Sequence, residues 1–208
     1  MPMKQLTAIA FMVMIVAACN LSSKLNKTSS SDSNSSSSNS GKTADEPAEK
    51  PNPTAAQTAA LANGQEVKWD EQGMSWTLPP GWKKETVSPT SFQYDSNGAF
   101  LIVSISAMSP DFPTDLSLNS YHESAKVRKK NGEVDEVKWL ELGGARGVEF
   151  RESKQPGAGD IRRLQWMTYR KYANQTQMVN FMLSTSSGKF DGRSDELYAI
   201  MYSMKLVH

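Results

Sequence analysis

VDEVKWLELGGARGVEFRE, residues 134–152, reads as two strands and the turn between them. Val134–Leu142 and Arg146–Glu152 flank Gly143-Gly144, a pair suited to the positive backbone angles of a tight hairpin. The pattern recurs downstream, where Ile161–Tyr172 and Thr176–Ser186 flank Ala173-Asn174-Gln175, and Val179, Phe181 and Leu183 mark the clearest buried face. Strand pairs joined by short turns predict a largely antiparallel sheet. A helix is expected over 191–204, with Leu197, Ile200, Met201 and Met204 at helical spacing and Asp195 and Glu196 in its first turn. A second helix is expected from an N-cap at Ser117, through Leu118, Tyr121 and Ala125, to a stop at Asn131-Gly132. Each amphipathic helix must cover part of the sheet, so the fold class is α+β.

Upstream, Val67 and Trp69 alternate with polar neighbours, Gln72-Gly73 turns, and Met74, Trp76 and Leu78 resume the alternation. That predicts an opening hairpin, ended by Pro79-Pro80-Gly81. A strand over Thr90–Asp95, a turn at Ser96-Asn97-Gly98 and a strand over Phe100–Ala107 follow. Apart from Phe11, every aromatic residue falls between Trp69 and Tyr202, which locates one globular domain at 65–208. Residues 19–64 are rich in Ser, Asn and Pro and bury too little apolar surface to offset chain entropy, so they are expected to form a disordered linker. As a flexible coil, such a linker spans roughly 35–40 Å. Within it, 54–62 has the composition of a short helix.

Lys4, an apolar run from Leu6 to Val16, and the small residues Ala17-Ala18 before Cys19 have the architecture of a signal peptide over 1–18. The run is short for a membrane span, which takes roughly 20 apolar residues. Val16-Ala17-Ala18-Cys19 resembles the lipobox of bacterial lipoprotein signals, with valine in place of the commoner leucine. The resemblance implies cleavage between Ala18 and Cys19 and acylation of Cys19, which anchors the chain to membrane lipid. Asn20 is not the aspartate that retains some lipoproteins at the inner membrane, so in a cell with two membranes the resemblance points to the periplasmic side of the outer one. Cys19 is the sole cysteine, so no internal disulfide is available and the domain must rely on its core.

Removing 1–18 takes away only Lys4, which leaves 22 basic and 22 acidic side chains and no electrostatic footprint for nucleic acid. Lys126, Arg128, Lys129 and Lys130 cluster at a helix end, where solvated cations complement the dipole. No G-x-S-x-G elbow is present, and a triad base would have to be His122 or His208. Two separated histidines and no free thiol supply few ligands for zinc. Asp135/Glu136 and Asp195/Glu196 are adjacent carboxylate pairs, and neighbours on a strand face opposite ways, so the first pair should not converge. Gly143–Gly147 lacks the lysine and following helix of a phosphate loop. Trp69, Trp76, Trp82, Trp139 and Trp166 read as core, with a binding face as the alternative. No catalytic, cofactor-binding or metal-binding residue is assigned.

Gly73-Met74-Ser75-Trp76 followed by Leu78-Pro79-Pro80-Gly81-Trp82 resembles the start of the PsbP/DcrB-like (DUF1795) superfamily, where a glycine-led strand runs into P-x-G-W. Element order extends the resemblance over about 70–207. It implies an α-β-α sandwich around an antiparallel sheet, and it carries no enzyme motif to transfer. The expectation is a membrane-tethered envelope lipoprotein whose non-enzymatic domain binds an envelope protein or supports a complex. A small-ligand or metal-binding carrier and a hydrolase with an unfamiliar site are the alternatives.

Overall fold

The computed structural model describes residues 46–154 and 161–207. Its elements run α1 (Ala55–Ala60), β1 (Gln65–Trp69), β2 (Met74–Leu78), β3 (Lys83–Ser88), β4 (Ser91–Ser96), β5 (Ala99–Ala107), α2 (Thr114–Lys130), β6 (Val134–Leu142), β7 (Ala145–Glu152), β8 (Ile161–Tyr172), β9 (Gln175–Ser186), α3 (Ser187–Tyr202) and β10 (Lys205–Leu206). Seven strands form one antiparallel sheet in the order β3-β4-β5-β9-β8-β7-β6. The turns expected from sequence set its hairpins: Gly143 and Gly144 sit at φ 55° and 83°, Asn97 and Gly98 at 47° and 78°, and Ala173 and Asn174 at 47° and 63°.

Alternation then sorts the side chains into layers. Trp139, Val148 and Met167 face one side of the sheet and pack under Leu118 of α2. Leu101, Val103, Leu164, Trp166, Phe181 and Leu183 face the other side, where they meet Leu197, Ile200 and Met201 of α3. That second layer is shared with a small separate sheet, β1-β2-β10, made of the expected opening hairpin and the two-residue strand β10, which the sequence did not predict. Trp76 of β2 is fully buried there and meets Phe92, Tyr94 and Phe181 edge-on at 5.6, 6.4 and 6.2 Å. Edge-to-face contact of this kind suits the ring quadrupole. The class is α+β, with helices on both faces of the large sheet.

Several boundaries differ from expectation. The helix α2 starts at Thr114 with Pro113 as N-cap, and Ser117 already donates its amide to the Pro113 carbonyl at 2.9 Å. Helix α3 starts at Ser187, held by Phe190 at 1% exposure, so Asp195 and Glu196 lie in its middle and not in its first turn. Between Phe190 and Leu197 only Gly and polar residues intervene, so the spacing does not mark the first turn at 187–190. The edge strand β3 has no buried face to reveal it, since its residues from Lys83 to Val87 are all exposed.

The expected linker needs the largest correction. Residues 46–64 lie on the domain: Glu49 donates its amide to Trp139 O at 2.9 Å, and Glu141 donates to Glu49 O at 2.8 Å. This forms a parallel bridge opposite Leu140 on the outer edge of β6. Downstream, Thr54 and Gln57 form a capping box that starts α1, which packs along α3. Composition misled here because the arm contributes backbone to an existing edge and brings few apolar side chains of its own. The rest of the expected linker (19–45), the signal segment 1–18 with Ala18 and Cys19, and His208 lie outside the described residues.

Candidate functional site

The most unusual electrostatics lie between β6, β7 and α3. Helices cover both faces of this part of the sheet, so an alternating strand here has no solvent face. Glu149 therefore points inward from β7 and has 0% exposure. Among the described residues its close cation is Lys138 of β6, whose Nζ lies 3.6 Å from Glu149 Oε2, 3.4 Å from Glu136 Oε1 and 3.5 Å from Glu49 Oε2 of the arm. The Tyr198 hydroxyl of α3, which also lies close, donates to Glu136 Oε2 at 3.2 Å. Among the described residues neither Glu149 oxygen accepts a hydrogen bond.

A β-bulge between Val134 and Glu136 shifts the β6 register. Asp135 and Glu136 consequently both reach Arg151, at 3.8 and 3.4 Å, so the expectation that this pair cannot converge is wrong. Arg162 extends the network: it donates to Asp135 in a short contact, to Asp191 of α3 at 2.6 Å and to the Glu152 carbonyl at 2.6 Å. Its guanidinium also lies 4.5 Å over the Phe190 ring.

Burial pushes the Glu149 carboxyl up to about 7, against the pull of Lys138 and with the help of Glu136. Burial opposes the Lys138 charge as well, but Glu149, Glu136 and Glu49 outweigh it and hold its pKa above the ordinary lysine value. Burial, seconded by Glu149, pushes Tyr202 up to about 12 and raises Tyr198. A carboxyl poised near neutrality can take or give a proton. This one is sealed beneath α3 and touches no solvent.

A cleft of about 690 Å³, open to solvent, lies at the start of α3. Pro79 and Pro80 of the P-x-G-W loop form one wall, Ser96 and Asn97 another, and Gly188, Lys189, Gly192 and Arg193 the helix side. A Cβ added to Gly188 or Gly192 would meet nothing within 4 Å, so both glycines leave the cleft wall smooth. Trp82 donates its indole N–H to Glu196 Oε1 at 2.7 Å, and Arg193 holds both Glu196 oxygens at 2.7 and 2.9 Å. Arg193 also donates to the Ser96 carbonyl at 2.5 Å. The loop that carries the sequence resemblance is thus fastened to α3 by the Trp82 hydrogen bond to Glu196, whose carboxylate Arg193 holds from within the helix.

The other sequence candidates are dispersed. His122 is buried and stacks on Trp139 at 4.3 Å; burial, then Lys126, lowers its pKa. Lys126 pairs with Glu123 at 3.0 Å, and Arg128 pairs with Glu133 at 3.3 Å and Glu152 at 3.5 Å. Trp69, Trp76, Trp139 and Trp166 are core residues, and Trp82 is half-buried. Gly143–Gly147 spans a hairpin turn. Sequence reading missed Glu149, Lys138 and Arg151. The signal for Glu149 was its place between Val148 and Phe150 on a strand expected to carry helices on both sides.

These layers define a PsbP-like fold. Among solved structures the chain is similar to LpqN, involved in cell envelope biogenesis of Mycobacterium tuberculosis, at 14% identity and TM-score 0.50, over 76% of this chain and 99% of that one. It is also similar to cyanobacterial PsbP (CyanoP) from Synechocystis sp. PCC 6803, at 15% identity and TM-score 0.46 over 69% and 92%. A third is the Ran-binding protein Mog1p of Saccharomyces cerevisiae, at 11% and 0.41 over 70% and 96%. At such identities the likeness is one of fold. No protein-family model and no curated protein matches the sequence.

Proposed function

We propose that the chain is a lipid-anchored accessory protein of the bacterial cell envelope, with a binding domain and no catalytic activity. The observation that carries this reading is Cys19, the sole cysteine, set directly behind Val16-Ala17-Ala18 at the end of an apolar run. Three further facts support it. The fold is shared with LpqN, a protein of envelope biogenesis. No helix among the described residues is long and apolar enough to cross a membrane. The carboxyl best tuned for proton transfer, Glu149, has no exposure through which to meet a substrate. The open cleft beside Pro79 and Pro80 suits a macromolecular partner better than an engulfed small ligand, which pockets bury by about 70–90%. Two or three acyl chains on Cys19 would hold a domain of balanced charge at a membrane, since each buried methylene contributes about 0.8 kcal/mol. Cys19→Ser is expected to leave an unprocessed precursor without lipid. The wild type should partition into detergent and carry acyl mass on its N-terminal peptide. A mature wild type that begins elsewhere, carries no lipid and stays in the aqueous phase refutes the reading.

A further inference from the structure

The two edges of the large sheet are protected in different ways. An edge strand offers unpaired N–H and C=O groups to any extended chain. On β3 the edge carries Lys83 and Lys84 and is bent by a bulge between Lys84 and Thr86. On β6 the chain's own arm occupies the edge through two backbone bonds, Glu49 N to Trp139 O and Glu141 N to Glu49 O. Ladder alternation turns the amide and carbonyl of Val137 to the same side, beyond the reach of those two bonds. Side chains add direction: Glu49 meets Lys138 at 3.5 Å and Lys50 meets Glu141 at 3.9 Å. Arg146 also donates to the Glu46 carbonyl at 3.0 Å.

This hold is weak. A backbone hydrogen bond contributes about 1 kcal/mol net, and exposed ion pairs about 0–1 kcal/mol each. Glu49 and Lys50 are themselves exposed, at 65% and 77% of their side-chain surface. A longer strand carrying the same acidic-then-basic pair would satisfy the bonds the arm makes and add those at Val137. We propose that the β6 edge is a strand-addition site for an extended segment of a partner protein, one that sets a carboxylate against Lys138 and a cation against Glu141, and that residues 46–50 are the internal occupant it displaces. The inference deepens the binding reading above, and it can fail while the lipid anchor stands, because its test does not involve Cys19.

The probe is a fluorescein-labelled peptide of residues 44–52, ADEPAEKPN, added to the detergent-solubilised full-length protein. Glu49→Pro removes the amide that donates to Trp139, and Glu49→Lys sets a cation against Lys138 while leaving the arm's backbone intact. A tethered arm acts at an effective concentration of roughly millimolar, so it should exclude the peptide from wild type. Anisotropy is expected to show at least about tenfold tighter binding to either variant than to wild type. A peptide with lysine in place of Glu49 should bind the Glu49→Pro protein more weakly. Hydrogen exchange of the Glu141 amide should be slow in wild type and faster in Glu49→Pro. Equal binding to wild type and variants, or no binding to either variant, overturns the proposal. Concentration-dependent dimerisation of wild type through exchanged arms would also overturn it, because the edge would then belong to a second copy.

Discussion

Glu149→Gln tests the electrostatics of the sealed cluster directly. The groups facing Glu149 are Lys138 and Glu136 on β6 and Tyr198 and Tyr202 on α3, with Glu49 reaching it only through Lys138 and Arg151 only through Glu136. The carboxyl rises from 4.5 to about 7 on folding, a difference worth about 3 kcal/mol. That value already includes the attraction of Lys138, so it is the net effect of burial in this setting. The folded state holds the proton more tightly than the unfolded chain, so this contribution is full below pH 4.5 and is lost as pH rises through about 7. Glutamine matches the protonated acid in shape and does not titrate. The stability of wild type relative to Glu149→Gln should therefore fall by about 3 kcal/mol between pH 4 and pH 8.5, with near equality at the acidic end. Urea unfolding followed by tryptophan fluorescence measures it, since Trp69, Trp76, Trp139 and Trp166 are all buried. With a slope of about 2 kcal/mol per molar, the relative midpoint moves by about 1.5 M. Other acidic groups titrate in both proteins and largely cancel in the difference. Parallel stability curves across this range would refute the reasoning, because they would give Glu149 an ordinary carboxylate pKa.

Two further outcomes follow from packing. Gly147→Ala places a Cβ 2.5 Å from Trp166 Cε2 and Nε1 and 2.7 Å from the Met167 carbonyl. Trp166 is fully buried and tied to the Leu140 carbonyl at 3.0 Å, so the overpacking should cost about 1–3 kcal/mol in chemical denaturation, and a change under about 0.5 kcal/mol would contradict this packing. Arg162→Ala removes the donor shared by Asp135, Asp191 and the Glu152 carbonyl, with an expected loss of about 2 kcal/mol, below the usual range for a broken buried pair because Asp191 is largely exposed. Arg162→Lys should recover only part of it, because an ammonium cannot make the three-way fork over Phe190; full recovery would assign the role to charge alone.

Fold legibility followed the local signals. The hairpin at Gly143-Gly144 and those at Asn97-Gly98 and Ala173-Asn174 were readable because a positive φ leaves a mark on residue choice. Strands β5 and β9 were readable because alternate residues, Leu101, Val103 and Ile105 against Val179, Phe181 and Leu183, fill one core. What stayed hidden had no such mark. Strand β3 buries no face, and β10 is only Lys205–Leu206, paired to β2 at Ser75 and Met74. The arm at 46–50 depends on a partner strand far along the chain, and no periodicity within it reports that partner.

The cluster was hidden for a different reason. Period-two reading sends Asp135 and Glu136 to opposite faces, and one extra residue in β6 is enough to bring both to Arg151. Bulges are set by pairing with the neighbouring strand, so the sequence of β6 alone does not announce one. Nor is the cluster there for raw stability, since well-packed apolar residues often replace buried ion pairs at no loss. Its geometry suggests another role. Lys138, Glu136 and Arg151 are matched across β6 and β7, Tyr198 ties α3 to Glu136, and Arg162 ties the Asp135 bulge to Asp191. Slipping β6 by one residue would carry Lys138 and Glu136 away together and leave the buried Glu149 carboxyl on β7 without its cation. An apolar set at these positions would tolerate the slip, because one aliphatic contact replaces another. Charge matching of this kind favours the observed register, the one in which the Trp139 carbonyl and the Glu141 amide meet the arm at the edge.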